Sequence, residues 1–216
     1  MHAAPHSGGQ RRTLARGFTL IELLVTITLL GILVTLSIPS FTGWIRNSQI
    51  RTVADALQTG LRTAQAESVR RNRQVVMFFT EDEPALNVVP VTHPQTDAAP
   101  VLNGKRWVLQ AIGQFGEPSE YITGGKLSDV ASNIAISNDQ AAKAICFNSA
   151  GRLATTGAGP SGTKVAAACQ SVITTFSVGT SADDRPLNVI VQLGGQLRMC
   201  DPKRPAMSSA SPDGCP

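Results

Sequence analysis

The longest apolar segment of the chain runs from Phe18 to Ile38 and contains a single charged residue, Glu22. About 20 apolar residues are enough for a helix to span the hydrocarbon core of a bilayer. Residues 1–17 contain three arginines and no acidic residue, and the positive-inside rule places such an end in the cytoplasm. A cleavable secretory signal would have a shorter apolar core and a small-residue cleavage box. The pattern therefore predicts one membrane helix with the rest of the chain outside.

From Trp44 onward the pattern changes to the amphipathic spacing of a helix with one buried face. The apolar stripe comprises Ile50, Val53, Leu57, Leu61 and Ala64, and the charged residues off this stripe are Arg46, Arg51, Asp55, Arg62 and Arg70. We expect the membrane helix to run on into this stripe, giving a helix from Phe18 to Arg71 of about 80 Å. Pro39 has no amide hydrogen to donate to the Thr35 carbonyl, so a kink or a locally melted turn is expected there.

Beyond the helix, short β-rich runs bounded by Gly, Pro, Ser and Asn predict strands. The predicted strands are Val75–Phe79, Arg106–Ala111, Asn133–Ile136, Ala144–Phe147, Thr174–Val178, Leu187–Leu193 and Gln196–Cys200. Gly194 and Gly195 lie between the last two and permit the positive φ of a two-residue hairpin turn. The stretches 80–104 and 155–168 are predicted to be loops. The fold class is therefore α+β, a long N-terminal helix packed on an antiparallel sheet.

The charge of the chain does not indicate a nucleic-acid-binding protein as a whole. It has 19 basic and 15 acidic residues. Since Arg11, Arg12 and Arg16 precede Phe18, the remainder is nearly neutral. Residues 46–73 nevertheless carry a local surplus of arginine, which is typical of a solvated helix face near anionic headgroups. Membrane lipid is thus an expected partner.

The four cysteines, Cys146, Cys169, Cys200 and Cys215, lie on the predicted outer side, where oxidising conditions favour disulfides. Four cysteines allow three pairings, and the sequence does not choose among them. We prefer Cys200 with Cys215, which would close the Pro- and Ser-rich tail, and Cys146 with Cys169, which would span the Gly-rich loop. Closing a loop of about fifteen residues contributes roughly 3 kcal/mol. A metal site is the rival interpretation, disfavoured because the chain has no CxxC pair and no histidine near these cysteines.

Catalytic chemistry has little support in the sequence. After residue 17, the one histidine is His93, in a Pro-rich stretch, and no nucleophile elbow accompanies it. Residues 157–162 match G-x-G-x-x-G formally, but Pro160 interrupts the motif and no helix is predicted after it. The stretch GGKLSD at 124–129 lacks the first Gly and the Ser or Thr of a phosphate-binding loop. We therefore expect no enzymatic activity, no cofactor and no metal.

The stretch RGFTLIELLVTITLLGILVTLSIPSF resembles the class III signal of type IV prepilins and type II secretion pseudopilins. The resemblance rests on a basic leader that ends in Gly17, then Phe18, then Glu22 as the fifth residue after the junction. It implies cleavage after Gly17 by a prepilin peptidase, methylation of the new amino group of Phe18, and pairing of Glu22 with that group on a neighbouring subunit. An acidic residue at mid-membrane costs roughly 2.5 to 3.5 kcal/mol. Because this cost is offset only where the amino group of the neighbouring subunit lies beside Glu22, the pair would select the correct axial register on assembly.

Three further stretches, AQAESVRRNRQV, ICFNSAGRL and LNVIVQLGGQLRMC, resemble the GspH/FimT branch of that superfamily. This resemblance implies a minor pilin or the type II pseudopilin H, in contact with other pilins or pseudopilins and with an inner-membrane assembly platform. The implied domains are a leader (1–17), a transmembrane and filament-core helix (18–43) and a periplasmic domain (44–216). The periplasmic part divides into a helix end (44–72), a β-domain (73–200) and a disulfide-closed tail (200–216). The implied location is the inner membrane, single-pass with a cytoplasmic N-terminus, and the filament after assembly.

DNA is an alternative partner, because minor pilins that resemble FimT are linked in some bacteria to DNA uptake through a basic C-terminal loop. The stretch GGQLRMCDPKRP offers candidate contacts at Arg198, Lys203 and Arg204. The match is imperfect, since a Gln and a Leu separate Gly195 from the first of these, and Asp201 and Asp213 offset part of the charge. Three cations would bind phosphates in a salt-sensitive, sequence-independent manner. A solvated tail is the competing interpretation.

Overall fold

The structure is a computed structural model of the 216-residue chain. It describes residues 17–81, 86–87, 95–96, 100–102, 104–114, 117, 119–127, 134–140, 144–155, 169, 171–179 and 185–216. The chain divides into two compact units, Met1–Thr42 and Gly43–Pro216, and each is described by itself.

The helix α1 spans Leu20–Arg71 and has a defined cap at each end. At its start, the Thr19 hydroxyl oxygen accepts a hydrogen bond from the Glu22 backbone N–H at 3.2 Å, an arrangement with the spacing of a capping box. At its end, Asn72 has a φ of 50°. The N–H of Arg73 donates to the Ser68 carbonyl at 3.1 Å, as in a Schellman motif. The helix therefore begins two residues later than the predicted Phe18 and ends where predicted.

In the N-terminal unit, α1 is apolar on all sides. Every large apolar side chain from Phe18 to Leu36 is at least 46% exposed, and such a helix is typical of one covered by lipid or by other helices. The hydroxyls of Thr26, Thr28 and Thr35 each donate to a carbonyl three residues earlier, at 2.8 to 2.9 Å. The segment therefore carries few unsatisfied polar groups.

The described residues contain no single helix that meets the length and composition of a membrane span, whereas the bent pair Leu20–Leu36 and Phe41–Arg71 meets them jointly. Pro39 lies between these two segments, where the side chains fall outside the description. The kink at Pro39 stays a prediction.

In the C-terminal unit, α1 buries the predicted stripe. Ile50, Val53, Leu57, Leu61 and Ala64 are at most 1% exposed, while the five charged residues predicted to lie off the stripe are exposed. Burial of a leucine side chain stabilises a fold by roughly 1.5 to 3 kcal/mol. The amphipathic half of α1 is therefore held by packing against the β-structure that follows.

The described strands all pair antiparallel. They are β1 Val75–Thr80, β2 Leu86–Asn87, β3 Gln95–Thr96, β4 Arg106–Ala111, β5 Glu120–Lys126, β6 Ala135–Asn138, β7 Ala144–Phe147, β8 Thr174–Gly179, β9 Leu187–Val191 and β10 Leu197–Cys200. They form a first sheet in the order β5-β4-β1-β7, a second sheet in the order β10-β9-β8-β6, and the pair β2-β3.

Both four-stranded sheets contribute to one apolar core with α1. Phe79 of the first sheet meets Phe176 of the second edge to face, with ring centroids 5.7 Å apart, a favoured aromatic geometry. Along β8, buried and half-buried residues alternate, as expected of a strand with one face on the core. The predicted α+β class is confirmed, with the refinement that the described strands form two four-stranded sheets beside the pair β2-β3.

The other face of the first sheet carries a second, smaller apolar cluster. Val76, Phe78, Val108 and Cys146 are fully buried there, so β1 is buried on both faces and its sequence VVMFFT shows no alternation. Cys146 is bonded to Cys169, and Cys169 forms a parallel bridge with Ala144. This disulfide fixes residue 169 against the outer face of the sheet.

The strand predictions need three corrections besides the β9–β10 connection, and one predicted loop lies largely outside the described residues. β5 was not predicted, because its Gly124–Gly125 pair reads as a turn; in the structure these glycines leave room for Trp107, whose indole a Cβ at Gly125 would contact at 2.8 Å. The predicted loop 80–104 contains the short pair β2-β3. β6 lies two residues later than predicted, although residue 133 is outside the described residues. The predicted loop 155–168 also lies outside them, apart from Thr155.

The connection between β9 and β10 is longer than the predicted two-residue turn. The Gln192 N–H donates to the Gln196 carbonyl at 2.9 Å, and the Gly195 N–H donates to the Gln192 carbonyl at 2.8 Å. The loop therefore has three residues, 193–195. Gly195 has a φ of 84° and Gly194 has no positive φ, which is typical of a type I turn followed by a left-handed glycine.

An ion-pair network fastens the end of α1 to the first sheet. Glu67 accepts hydrogen bonds from Arg70 at 2.6 Å and from Arg71 at 2.7 Å, and Arg71 also donates to Glu120 of β5 at 2.7 Å. The hydrogen bond from Arg70 lowers the pKa of the Glu67 carboxyl below its usual 4.5, and Arg71 lowers it further, although burial opposes both. Glu67 thus stabilises the fold in its ionised form.

We expect Glu67→Gln to lower the free energy of unfolding by about 1 kcal/mol at pH 7. A carboxyl whose pKa is lower in the folded state stabilises the protein above its unfolded pKa, and this contribution is lost as the pH falls through the folded pKa. The difference between wild type and variant should therefore shrink below pH 4.5. Urea unfolding of the full chain in detergent at pH 7 and at about pH 3 measures it. The control is Glu117→Gln, because Glu117 is more exposed and pairs with Arg73. If wild type and Glu67→Gln differed in free energy of unfolding by the same amount at both pH values, the stabilising role of ionised Glu67 would be contradicted.

Candidate functional site

The junction between Gly17 and Phe18 lies just before α1 and is exposed. The Phe18 side chain is 83% exposed, and among the described residues no atom beyond the chain neighbours of Gly17 lies within 4 Å of the position that a Cβ would take there. The two residues of the predicted cleavage site are therefore accessible in the isolated chain.

Glu22 lies in the first turn of α1 and its side chain is exposed. It forms no ion pair with any residue in the described part of the chain. A carboxylate in this turn interacts favourably with the positive end of the helix dipole. Sequence reasoning missed this local role, although the spacing of Thr19 and Glu22 was a readable signal for it. Glu22 is thus a helix-start residue whose charge has no side-chain partner within the described subunit.

The C-terminal tail is ordered by a disulfide and by one buried carboxylate. Cys200 is bonded to Cys215 across 15 residues, so both disulfides have the pairing that was preferred from the sequence. Asp201 is 9% exposed; its N–H donates to the Asp213 carbonyl at 2.8 Å, and its Oδ1 accepts from the Lys203 N–H at 2.9 Å. The tail is therefore a closed loop built around Asp201.

The three candidate DNA contacts lie on or beside this loop, and the side chains of Arg198 and Arg204 contact residues within it. The Arg198 guanidinium donates to the Pro212 carbonyl at 3.2 Å. Arg204 forms an ion pair with Asp213 at 3.0 Å and a longer one with Asp201 at 3.9 Å. Lys203 is exposed. The structure thus brings the three cations to one end of the domain but engages Arg198 and Arg204 within the tail.

A cleft of about 430 Å³ lies between α1, the segment before β9 and the tail. Asn47 and Arg51 line it from α1, Arg185 lines it from the segment before β9, and Arg204 lines it from the tail. We call this space the arginine cleft. Sequence reasoning did not find it, since these elements are far apart in the chain and no local motif joins them.

The described residues contain no group of three or more His, Cys, Asp or Glu that could hold a metal ion. His93, the one candidate base, lies outside the described residues.

Comparison with known families gives two matches along the chain. A model described as a prokaryotic N-terminal methylation motif matches residues 12–38, which include the Gly17–Phe18 junction and Glu22. A model described as type II transport protein GspH matches residues 53–195, from the buried stripe of α1 to the β9–β10 loop. The two matches follow one another in the order that the sequence resemblance implied, with residues 39–52 between them.

Individual relatives are more distant. A fimbrial protein of Moraxella nonliquefaciens is 39% identical over 51 residues, which are 22% of this chain and 33% of that protein; the match thus spans about a third of the relative's length. The type IV minor pilin FimU of Pseudomonas aeruginosa is 15% identical, with 78% of this chain and 96% of that chain covered and a TM-score of 0.48. The minor pseudopilin EpsH of Vibrio cholerae is 10% identical, with 72% and 99% covered and a TM-score of 0.44.

Proposed function

This chain belongs to the GspH family of type II transport proteins, and from that premise we propose that it is a minor pilin that joins or primes a type IV pilus. In this proposal it is cleaved after Gly17, N-methylated on Phe18 and held in the inner membrane by α1, with the domain 44–216 in the periplasm. Its role is structural rather than catalytic.

The observation that carries the proposal is the surface of α1 between Phe18 and Leu36. All of its large apolar side chains are at least 46% exposed, although such a surface requires lipid or other helices to cover it. The methylation motif covers the same residues, and the folded domain follows directly. A subunit that passes from membrane to filament needs this combination, because the same surface is covered in both places.

Glu22 supplies the proposed assembly contact. Its charge has no side-chain partner among the described residues of the subunit, and a buried lone carboxylate is unfavourable. The methylated Phe18 amine of a neighbouring subunit would offset it. Partners of the chain are then the other pilins, the prepilin peptidase that exposes this amine, and the assembly platform that extracts the subunit from the membrane.

The test is the intact mass and N-terminal sequence of the chain purified from its native membrane. We expect a chain that begins with N-methylated Phe18 and is four hydrogens lighter than its reduced form, because both disulfides are formed. A chain that still begins at Met1, or is cut beyond Ile38, would contradict the proposal.

A second candidate in the same class is a subunit of the type II secretion pseudopilus, favoured by the description of the family. Deletion of the gene separates the two machines, since loss of pilus-dependent motility indicates the pilus and loss of protein secretion indicates the pseudopilus. Contact with DNA is a weaker alternative, because Arg198 and Arg204 are engaged within the tail.

A further inference from the structure

We infer that the arginine cleft binds one carboxylate of an acidic segment on a neighbouring subunit. The identity of this partner rests on the proposed function, which surrounds the chain with other subunits. The binding chemistry itself follows from the lining of the cleft.

Three arginines from separate parts of the chain line the cleft. Arg204 is offset by Asp213 and Asp201. Arg51 and Arg185 are exposed and form no ion pair with any residue that the structure describes. The cleft therefore presents two arginines whose planar forks match the geometry of a carboxylate.

The net charge of the lining favours a single carboxylate over a polyanion. Besides the three arginines, the described residues that line the cleft include the carboxylates of Asp201 and Asp213, so the formal charge of this described lining is that of one unneutralised cation. A carboxylate would neutralise this charge. A nucleic acid strand, whose phosphates need a continuous positive track, would place further negative charge near both aspartates.

The volume and the apolar lining of the cleft favour a side chain over a small inorganic ion. Its volume of about 430 Å³ lies within the roughly 300 to 1,000 Å³ of typical ligand sites, far more than one inorganic anion fills. Leu187 and Met199 line it as well, and both are partly buried against the core. They can contact the methylene groups of a glutamate while the arginines hold its carboxylate.

The backbone of two walls of the cleft is held by contacts within the subunit. The Asn47 amide oxygen accepts a hydrogen bond from the Arg185 backbone N–H at 2.9 Å, across 138 residues of sequence. The tail wall is held by the Cys200–Cys215 disulfide and by the hydrogen bond from the Asp201 N–H to the Asp213 carbonyl. Because the backbone of these walls is already ordered, the entropy lost on binding is mainly that of the two arginine side chains.

The test is a titration of the full chain, in nanodiscs of zwitterionic lipid at low salt, with a short capped peptide of alternating alanine and glutamate. We expect saturable binding that weakens at least about tenfold in the double variant R51Q/R185Q, which loses both charge-assisted contacts. The matched control R62Q/R152Q removes the same charge from two arginines that are exposed elsewhere and should bind as the wild type does. A peptide with glutamine in place of glutamate should not bind.

The same titration tests whether another kind of ligand occupies the arginine cleft. Inorganic phosphate, single-stranded DNA or vesicles of anionic lipid that bind through Arg51 and Arg185 while the peptide does not would overturn the inference. So would the absence of peptide binding, a result that leaves the proposed function intact because the titration needs no filament.

A second measurement tests the source of the carboxylate. R51Q/R185Q should enter filaments less efficiently than R62Q/R152Q. Equal incorporation of the two variants, or a wild-type chain that binds the peptide but is absent from filaments, would overturn the assignment to a neighbouring subunit.

Discussion

Replacement of Glu22 by alanine is expected to leave membrane insertion and cleavage unchanged and to remove the protein almost completely from filaments. Removing one partner of a buried ion pair costs about 3 to 5 kcal/mol, so incorporation should fall by roughly two orders of magnitude or more. Immunoblots of sheared filaments and of the membrane fraction measure the two populations. Normal incorporation of Glu22→Ala would contradict the proposed pairing with the Phe18 amine.

Glu22 also lies in the first turn of α1, so a control must separate assembly from helix capping. Thr19→Ala removes the hydroxyl that accepts from the Glu22 N–H and costs the helix about 1 kcal/mol, but it leaves the carboxylate in place. We expect this variant to enter filaments at close to the normal level. A loss as large as that of Glu22→Ala would assign the effect to the helix start instead.

Substitution of Gly195 by alanine is expected to lower the free energy of unfolding by about 3 kcal/mol, through backbone strain and a steric clash. Gly195 has a φ of 84°, and a Cβ there would overlap the Gly151 carbonyl oxygen and press on the Gln65 amide. For a chain of this length the melting temperature should fall by roughly 6 to 12 °C. Thermal denaturation of the full chain in detergent, followed by circular dichroism, measures it.

The adjacent glycine provides a matched control. Gly194 has no positive φ, and a Cβ there would meet no atom of the described residues within 4 Å beyond its chain neighbours. Gly194→Ala should therefore change the free energy of unfolding by less than about 0.5 kcal/mol. Similar losses for the two variants would show that the loop, rather than the close approach at Gly195, sets the stability.

The close approach at Gly195 reflects a contact among three distant parts of the chain. The Gln65 amide on α1 donates to the carbonyls of Gly151, at 2.8 Å, and of Gly195, at 3.0 Å. One side chain thus satisfies two loop carbonyls and ties the turn after β7 and the β9–β10 loop to the helix. Gly151 has a φ of 71° and Gly195 a φ of 84°, a backbone conformation that favours glycine, and a Cβ at either position would also contact Gln65.

The local sequence pattern was sufficient to predict the helix, most strand positions and the N-terminal motif. The stripe from Ile50 to Ala64 repeats at the helical period, so its burial follows from geometry along the chain alone. Strands such as β4 and β7 have the predicted bounds because β-branched and aromatic residues end at turn formers. The sequence around Gly17, Phe18 and Glu22 likewise contains the whole motif within a few residues, and its roles in cleavage and assembly stay predictions.

Tertiary structure alone decided how the strands are shared between two sheets, where Gly124 and Gly125 belong, and which charges are paired. β5 pairs with β4, and Trp107 of β4 occupies the space that a Cβ at Gly125 would take. Arg204 is paired because the Cys200–Cys215 disulfide brings Asp213 close to it. Arg185 lies in the same cleft as Arg51 because the Asn47 side chain, 138 residues away in sequence, binds the Arg185 backbone N–H. The sequence by itself determined the helix, most of the strands and the N-terminal motif, since these depend on neighbours in the chain. The arginine cleft required the fold, because its walls are neighbours only in space.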